Sequence, residues 1–347
     1  MRFEQFDVTD PGSIRVWYEM YLAAKAVDEP LGPPQSLRAF IGWMTEGAGV
    51  YFQREGWFVP GERAGSWDGA FVLELPAMDN THRAKMDLMV ALDRRRRGIG
   101  TALAGHAVER TRAHGRTLLR SGAMEGSPGS AFAAAMGVRH DMTEVRRVQD
   151  LDNVPAGRLA ELWAKAQAAA RGYSLVSWTG ATPDEHVDQV ALVTMALEDA
   201  PHTAGHEPVH IDAARVRKDE QRIAVQGVRY YSVAARCDET GELAGITQVG
   251  VDPEQPDWGH QELTAVTGPH RGHRLGLLLK VAMLEWLAAA EPAVRHIMTG
   301  NAAANRHMIA INEELGYHVL DQWQVWQMDV GQQGGVAVPA GSAATLA

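Results

Sequence analysis

The chain has 347 residues, 46% of them hydrophobic and 22% charged, and its 43 acidic against 33 basic residues give a formal net charge of −10. That length suits two domains with a core each, and the acidic balance excludes nucleic acid as the main partner. Cys237 is the sole cysteine, which excludes internal disulfides and points to a reducing, cytoplasmic setting, while the start MRFEQFDVTDPGS lacks a signal peptide's apolar core and no run approaches about 18 apolar residues, so no membrane span is expected.

In chain order, Arg2–Val8 alternates weakly and predicts a first strand. Asp10 and Ser13 are candidate caps for a helix through Ala26, and Ser36–Met44 predicts a second helix after Pro33-Pro34. Trp57–Val59 and Ala70–Leu75 read as strands across a turn rich in Gly, Pro and Asp. Lys85–Leu92 is an apolar strand-like run that leads into Arg94–Leu103, RRRRGIGTAL, and a helix over Gly98–His114. Strand, short glycine loop and helix together aim several backbone N–H groups at one spot. The first N–H groups of a helix lack internal partners and the helix dipole adds positive charge, so a phosphate or pyrophosphate fits there. Thr117–Leu119, Ser127–Met136 and Thr143–Leu151 then predict a strand, a helix and a closing strand.

Asp152-Asn153-Val154-Pro155 reads as a boundary. Helices follow over Leu159–Ala170, over Pro183–Ala200 with Thr182 as cap, and over Asp212–Val225. Between the last two lies His206-Glu207-Pro208-Val209-His210, formally H-E-x-x-H. A zinc protease needs its histidines one turn apart on a helix; Pro208 and Gly205 oppose a regular helix, so a loop with no metal is expected. Arg229–Arg236 and Leu243–Val251 form a hairpin, and Gly259–Thr267 is a strand feeding His270–Gly276 and a long apolar helix from Leu277. The grammar of the first half thus recurs 176 residues on, from Arg95 to Arg271, which indicates internal duplication. Ile297–Asn301, Asn305–Leu315 and Gln322–Met328 complete the second half as strand, helix and strand.

These loops resemble the acyl-CoA-binding motif of the GCN5-related N-acetyltransferases, Q/R-x-x-G-x-G/A. Arg95-Arg96-Arg97-Gly98-Ile99-Gly100 matches in full, and Arg271-Gly272-His273-Arg274-Leu275-Gly276 matches with Arg274 in place of the middle glycine. Phe132–Val138 and Asn301–Tyr317 resemble the family's late helix and turn, so the resemblance spans roughly residues 1–330. It implies an α+β (α/β/α) fold class: two tandem acyl-CoA N-acyltransferase domains, each a mixed, mainly antiparallel twisted sheet flanked by helices. The boundaries are placed at 1–152, 153–330 and a flexible tail, 331–347.

By the same resemblance, Arg95, Arg96, Arg97, Gly98, Ile99, Gly100 and Thr101 bind the carrier in the first domain, with the strand positions Leu88 and Val90. Their counterparts in the second domain are Arg271, Gly272, His273, Arg274, Leu275, Gly276 and Val266. Asn301 and Asn305 either bond the pantetheine amides or cap a helix. Acyl transfer from a thioester to an amine needs a group to take the amine's proton and a donor for the carbonyl oxygen. On the strand before the loop, the family's base positions are Met86 and Ala84 in the first half, which carry no proton. In the second half they are Glu262 and His260, the expected catalytic residues. The family's late tyrosine, acid to the thiolate, falls on Ala133 and Asn312. The implied reading is an acetyl-CoA-dependent (or other acyl-CoA-dependent) N-acetyltransferase on a small-molecule amine, monomeric or homodimeric. The first domain holds acyl-CoA structurally and the second transfers. A non-catalytic acyl-CoA-binding scaffold and a different acyl-CoA chemistry stay open as alternatives.

Overall fold

The computed structural model describes residues 1–45 and 51–331. The elements in chain order are β1 (Glu4–Phe6), α1 (Pro11–Asp28), α2 (Leu37–Thr45), β2 (Phe52–Pro60), β3 (Trp67–Pro76), β4 (Arg83–Val90), α3 (Ile99–Ala113), β5 (Leu118–Met124), α4 (Pro128–Ala135) and β6 (Arg139–Asp150). They continue with α5 (Arg158–Ala169), β7 (Tyr173–Thr179), α6 (Val187–Met195), α7 (Ala213–Gln226), β8 (Arg229–Cys237), β9 (Leu243–Val251), β10 (Trp258–Val266), α8 (Leu275–Ala290), β11 (His296–Ala302), α9 (Arg306–Glu314) and β12 (His318–Asp329). Local chemistry sets several ends. Asp10 caps α1 by accepting the Ser13 N–H at 2.8 Å, and Asp212 caps α7 by accepting that of Arg215 at 2.8 Å. Thr182 caps nothing: α6 starts at Val187, after a 3₁₀ turn over Asp184–His186.

Two compact units result. One takes residues 1–34, 47–143 and 323–347, the other 35–46 and 144–322. In the first, β1, β2, β3 and β4 pair antiparallel in order, β4 pairs parallel with β5, and β5 pairs antiparallel with β12. In the second, β7, β8, β9 and β10 pair antiparallel, β10 pairs parallel with β11, and β11 pairs antiparallel with β6. The two sheets therefore share one mixed, mainly antiparallel plan, with helices packed on them.

The single boundary expected after Asp152 differs from this division. Each sheet closes with a strand from the other half of the sequence: Glu144–Asp150 of β6 lies against β11, and Trp323–Asp329 of β12 against β5. Helix α2, between the first two strands in sequence, belongs to the second unit, where it packs on α7. Alternation of apolar residues marks a strand but does not name its partner, so the exchange leaves no local trace. Beyond Gly331 the expected tail lies outside the described residues. Among the described residues, no helix is long and apolar enough to cross a membrane.

In the first unit, Ile99, Leu103 and Ala107 of α3 pack on Phe71, Leu73 and Met86 of the sheet. In the second, α5 and α8 cover one face through Leu162, Leu275 and Leu279, while Val187, Val190 and Val216 of α6 and α7 cover the other against Ile246 and Leu263. Each such large side chain taken from water contributes about 1.5–3 kcal/mol.

The duplication extends to one packing contact. Gly69 faces Val90 across β3 and β4, and Gly245 faces Val266 across β9 and β10. A Cβ on Gly69 would stand 2.9 Å from a Leu103 methyl, and one on Gly245 would stand 3.3 Å from a Leu279 methyl. All three pairs of counterparts are offset by the same 176 residues as Arg95 and Arg271. The missing side chain lets the helix after the loop lie close on the sheet.

One charged group sits within this apolar packing. Lys280 of α8 is 2% exposed; its Nζ donates to Asn312 Oδ1 at 2.9 Å and stands 5.3 Å from the Tyr317 ring. Burial pushes its ammonium down to about 7.

Two predictions follow from these contacts. A Cβ on Gly245 would also meet the Ala265 carbonyl oxygen at 2.8 Å, a backbone atom, whereas on Gly69 the two nearest atoms are side-chain methyls. Gly245→Ala should therefore cost about 1–3 kcal/mol and Gly69→Ala less, as read by urea unfolding; equal losses would refute the backbone argument. For Lys280, the unfolded chain binds more protons than the folded one between about 7 and the ordinary value of 10.5. Stability therefore gains from this residue as pH rises through that window. The melting temperature of the wild type relative to Lys280→Met should climb from pH 7 to pH 9, and a constant difference would rule this out.

Candidate functional site

In the first unit β4 and β5 pair only over Arg83–Lys85 and Leu118–Arg120, although β4 runs on to Val90 and β5 to Met124. The strands part beneath the start of α3. The resulting cavity, about 620 Å³, is lined by Leu88, Val90, Gly100 and Thr101 on one side and by Gly122 and Phe132 on the other. Gly98 precedes α3 with φ 80°, no side chain caps the helix, and no atom lies within 4 Å of where a Gly98 Cβ would stand. Free N–H groups, a left-handed glycine and open space suit a diphosphate.

The four arginines divide their work. Arg94 pairs with Glu62 at 2.9 Å and Asp68 at 3.3 Å. Arg95 grips Asp28 through two bonds of 2.8 and 2.6 Å and donates its Nε–H to the Val90 carbonyl at 3.3 Å, fixing the loop to strand and helix. Arg96 lines the cavity with φ 63°, together with Arg95, Gly98 and Ile99; Arg97 bonds the Asp93 carbonyl and is not among the lining residues. The carboxylates on the cavity wall are Asp28, held by Arg95, and Glu109, 3.5 Å from His106. Ala133, at the family's tyrosine position, is on the wall too.

The second unit repeats the splay. β10 and β11 pair over Trp258–Gln261 and His296–Thr299, and β10 then continues to Val266 bonded to β9 but not to β11. Arg271 donates to the Val266 carbonyl at 3.1 Å, the counterpart of Arg95 and Val90, and pairs with Asp199 at 2.5 Å. Gly272 has φ 89°. Arg274 stands where Gly98 stands and takes the same left-handed conformation, φ 54°, with Glu314 at 3.7 Å; Leu275 and Gly276 begin α8, buried. His273 lies against Tyr173, whose hydroxyl is 2.8 Å from His270 Nδ1. Asn305 Oδ1 accepts the Met308 N–H at 3.2 Å, a helix cap. Asn301 Oδ1 accepts from Asn312, the residue at the tyrosine position, and Asn312 in turn accepts from Lys280.

His260 and Glu262 lie on β10 at a bulge. Gln261 pairs with Val249 and Leu263 with Gln248, so Glu262 is the extra residue. The buried Gln261 amide staples the kink by donating to the Gln248 carbonyl at 2.7 Å and to Thr247 Oγ1 at 3.0 Å. A bulge re-aims the side chain it carries. Glu262 is exposed at the bulge, and the protein atoms crowded around it raise its carboxyl above the usual range, against the pull of Arg222. Desolvation likewise pushes His260 down, against Asp252. Tyr230 is raised by burial first and by the Glu262 charge second, which puts the two groups within electrostatic reach. Gly250, between Tyr230 and His260 in the register, leaves room for the tyrosine ring: a Cβ there would meet it at 3.3 Å.

Tyr230, Gln248 and Leu263 also line a cavity of about 670 Å³ whose other wall is α6 and α7, with Thr182, Asp219 and Glu220. Burial raises the Asp219 carboxyl, and Thr182 donates its N–H to Glu220 at 2.7 Å. The strand pattern gave no hint of Tyr230 or Arg222 as neighbours of Glu262, or of Asp219 near Tyr230. Lys280 was detectable, as the one charge in the apolar run Leu275–Leu284. The H-E-x-x-H segment is loop, with no helix between Asp199 and Ala213.

No protein-family model matches the chain. A mycothiol acetyltransferase from Mycobacterium avium is 30% identical over 233 residues, which cover 63% of this chain and 67% of that protein. A tandem GNAT protein from the clavulanic acid biosynthesis pathway superimposes with a TM-score of 0.78 at 32% identity, over 95% of this chain and 99% of that one. A GCN5-related N-acetyltransferase from Sphaerobacter thermophilus shares the fold, with a TM-score of 0.63 at 16% identity over 95% of each chain. Two sheets of one plan, each splayed before a loop of the same grammar, agree with these likenesses: the chain belongs to the GCN5-related N-acetyltransferase superfamily, as a tandem two-domain member.

Proposed function

We propose that the protein transfers an acyl group, acetyl in the first instance, from acyl-CoA to the amine of a small molecule, that the second unit carries out the transfer, and that the first holds acyl-CoA chiefly as a structural ligand. The observation that carries this reading is the bulge at Glu262. It offers an exposed carboxylate with a raised proton affinity within electrostatic reach of Tyr230, which lines a cavity of acidic and apolar groups that suits a cationic amine with an apolar body. The first unit has the more open loop, but of its wall carboxylates Asp28 is held by Arg95 and Glu109 is mostly exposed to solvent. A small-molecule acceptor also accords with relatives named for mycothiol and for clavulanic acid biosynthesis.

In this scheme the neutral amine nitrogen attacks the thioester carbonyl carbon, the carbon–nitrogen bond forms as the carbon–sulfur bond breaks, and Glu262 receives the amine's proton, with His260 beside it on β10. Asn312 has no proton to give the departing thiolate and is held by Lys280, so that proton comes from water. The absence of a tyrosine from both late positions favours a second reading, a non-catalytic acyl-CoA binder, which would show no transfer to any amine.

Glu262→Gln should lower kcat/KM about a hundredfold or more without lowering the melting temperature, because the exposed side chain is not part of the core. In the wild type, turnover should fall as pH drops through the raised Glu262 value, so the acid limb lies above the ordinary glutamate 4.5; the variant should lack that limb. Full activity in the variant would end the assignment. Gly98→Val, which forces a branched side chain into the left-handed region, should abolish acyl-CoA retention by the first unit in native mass spectrometry while transfer persists. Loss of transfer with retention intact would reverse the roles.

A further inference from the structure

Between α6 and α7 of the second unit, three side chains with metal-ligating atoms converge. Glu198 ends the 3₁₀ turn Ala196–Asp199, and His202 and His206 follow at intervals of four residues in a segment that is not helical. His206 Nε2 lies 2.8 Å from Glu198 Oε2, and His202 Nε2 lies 3.9 Å from the same oxygen. The two imidazoles stack with centroids 3.9 Å apart and planes within 10°. One ligand atom from each of the three residues falls within 4.8 Å of the others. The H-E-x-x-H pattern plays no part in this: of its residues only His206 joins, and His210 does not.

We propose that Glu198, His202 and His206 form a binding site for one divalent transition-metal ion, zinc by the chemistry of its donors. Two imidazoles and a carboxylate suit zinc, nickel or cobalt, whereas calcium and magnesium need more oxygens than the single carboxylate offers. Donors around a tetrahedral zinc stand roughly 3.4 Å apart at bond lengths of about 2.1 Å, and the observed 2.8 and 3.9 Å bracket that spacing. His206 and Glu198 side chains are 14% and 25% exposed and His202 is 32% exposed, so two donors are partly seated and the third swings in from the solvent side, leaving a fourth position for water. Metal entry replaces the bond between His202 Nε2 and the Glu198 carbonyl, 3.1 Å, and the His206–Glu198 bond, each imidazole then giving Nε2 to the ion and carrying its proton on Nδ1. The ion would tie the α6–α7 connection into a closed loop. The neighbouring Asp199 bonds Arg271, so the tie ends one residue from an anchor of the second phosphate loop.

The test is direct and independent of the transfer reaction. The full chain, stripped with a chelator, is titrated with Zn²⁺ by calorimetry and with Co²⁺ by visible absorption. One equivalent should bind, with a tetrahedral cobalt spectrum and a rise in melting temperature. His206→Ala and Glu198→Gln should each weaken binding by more than the roughly tenfold that loss of an outer partner costs. His210→Ala should leave it unchanged, and all the metal-free variants should melt like the metal-free wild type. Absence of saturable binding, equal affinity in His206→Ala, or loss in His210→Ala alone would each overturn the site.

Discussion

The geometry of both loops, Arg95–Gly100 and Arg271–Gly276, depends on two parallel strands being allowed to part. A parallel pair normally stays bonded along its length, and opening it leaves backbone groups without ladder partners. Here β4 leaves β5 after three paired residues and β10 leaves β11 after four. What holds the wedge open is the helix wedged above it, seated on a glycine: α3 over Gly69, α8 over Gly245. Close seating fixes where the helix N-terminus points, and an arginine bonded to the last strand carbonyl, Arg95 to Val90 and Arg271 to Val266, fixes the loop between them. The orphan N–H groups thus face the parted strands by construction.

On this common scaffold the two units have drifted in opposite directions. The first keeps glycine at the left-handed position and a capacious cleft, with Arg95 holding Asp28 on its wall. The second places Arg274 in the same conformation, which costs an L-residue about 1–2 kcal/mol, and fills the late tyrosine position with an asparagine tied to a buried lysine. Its groups with displaced proton affinities, Glu262, His260, Tyr230 and Asp219, belong instead to the bulged strand and the cavity wall across from it. Perturbed titration clustered around one strand irregularity is a common signature of a working site, and it separates the units more sharply than loop quality does.

Much of this was legible in the residues. Gly98, Gly100 and the repeat at Arg271 located both loops, and period-two runs located most strands. Local rules also read Asp10 and Asp212 at their helix starts correctly. What stayed hidden is non-local. The alternation of Thr143–Leu151 identifies a strand yet is silent on its pairing with β11, and the amphipathic Ser36–Met44 identifies a helix but not that it covers α7. The cap expected of Thr182 failed because the chain first makes a 3₁₀ turn over Asp184–His186, so α6 begins only at Val187. The bulge that carries Glu262 depends on Gln261 reaching across to β9, a contact no spacing rule encodes.

The traded closing strands also set a timetable. β5 leaves the ribosome some two hundred residues before β12, its neighbour in the finished sheet. At ordinary rates of synthesis that gap is on the order of 10–40 s. Throughout it, the nascent first half carries an unpaired strand edge of the kind that invites wrong partners. Maturation of the earlier-made half is thereby coupled to completion of the later one, so an interrupted translation product has no route to a finished first sheet.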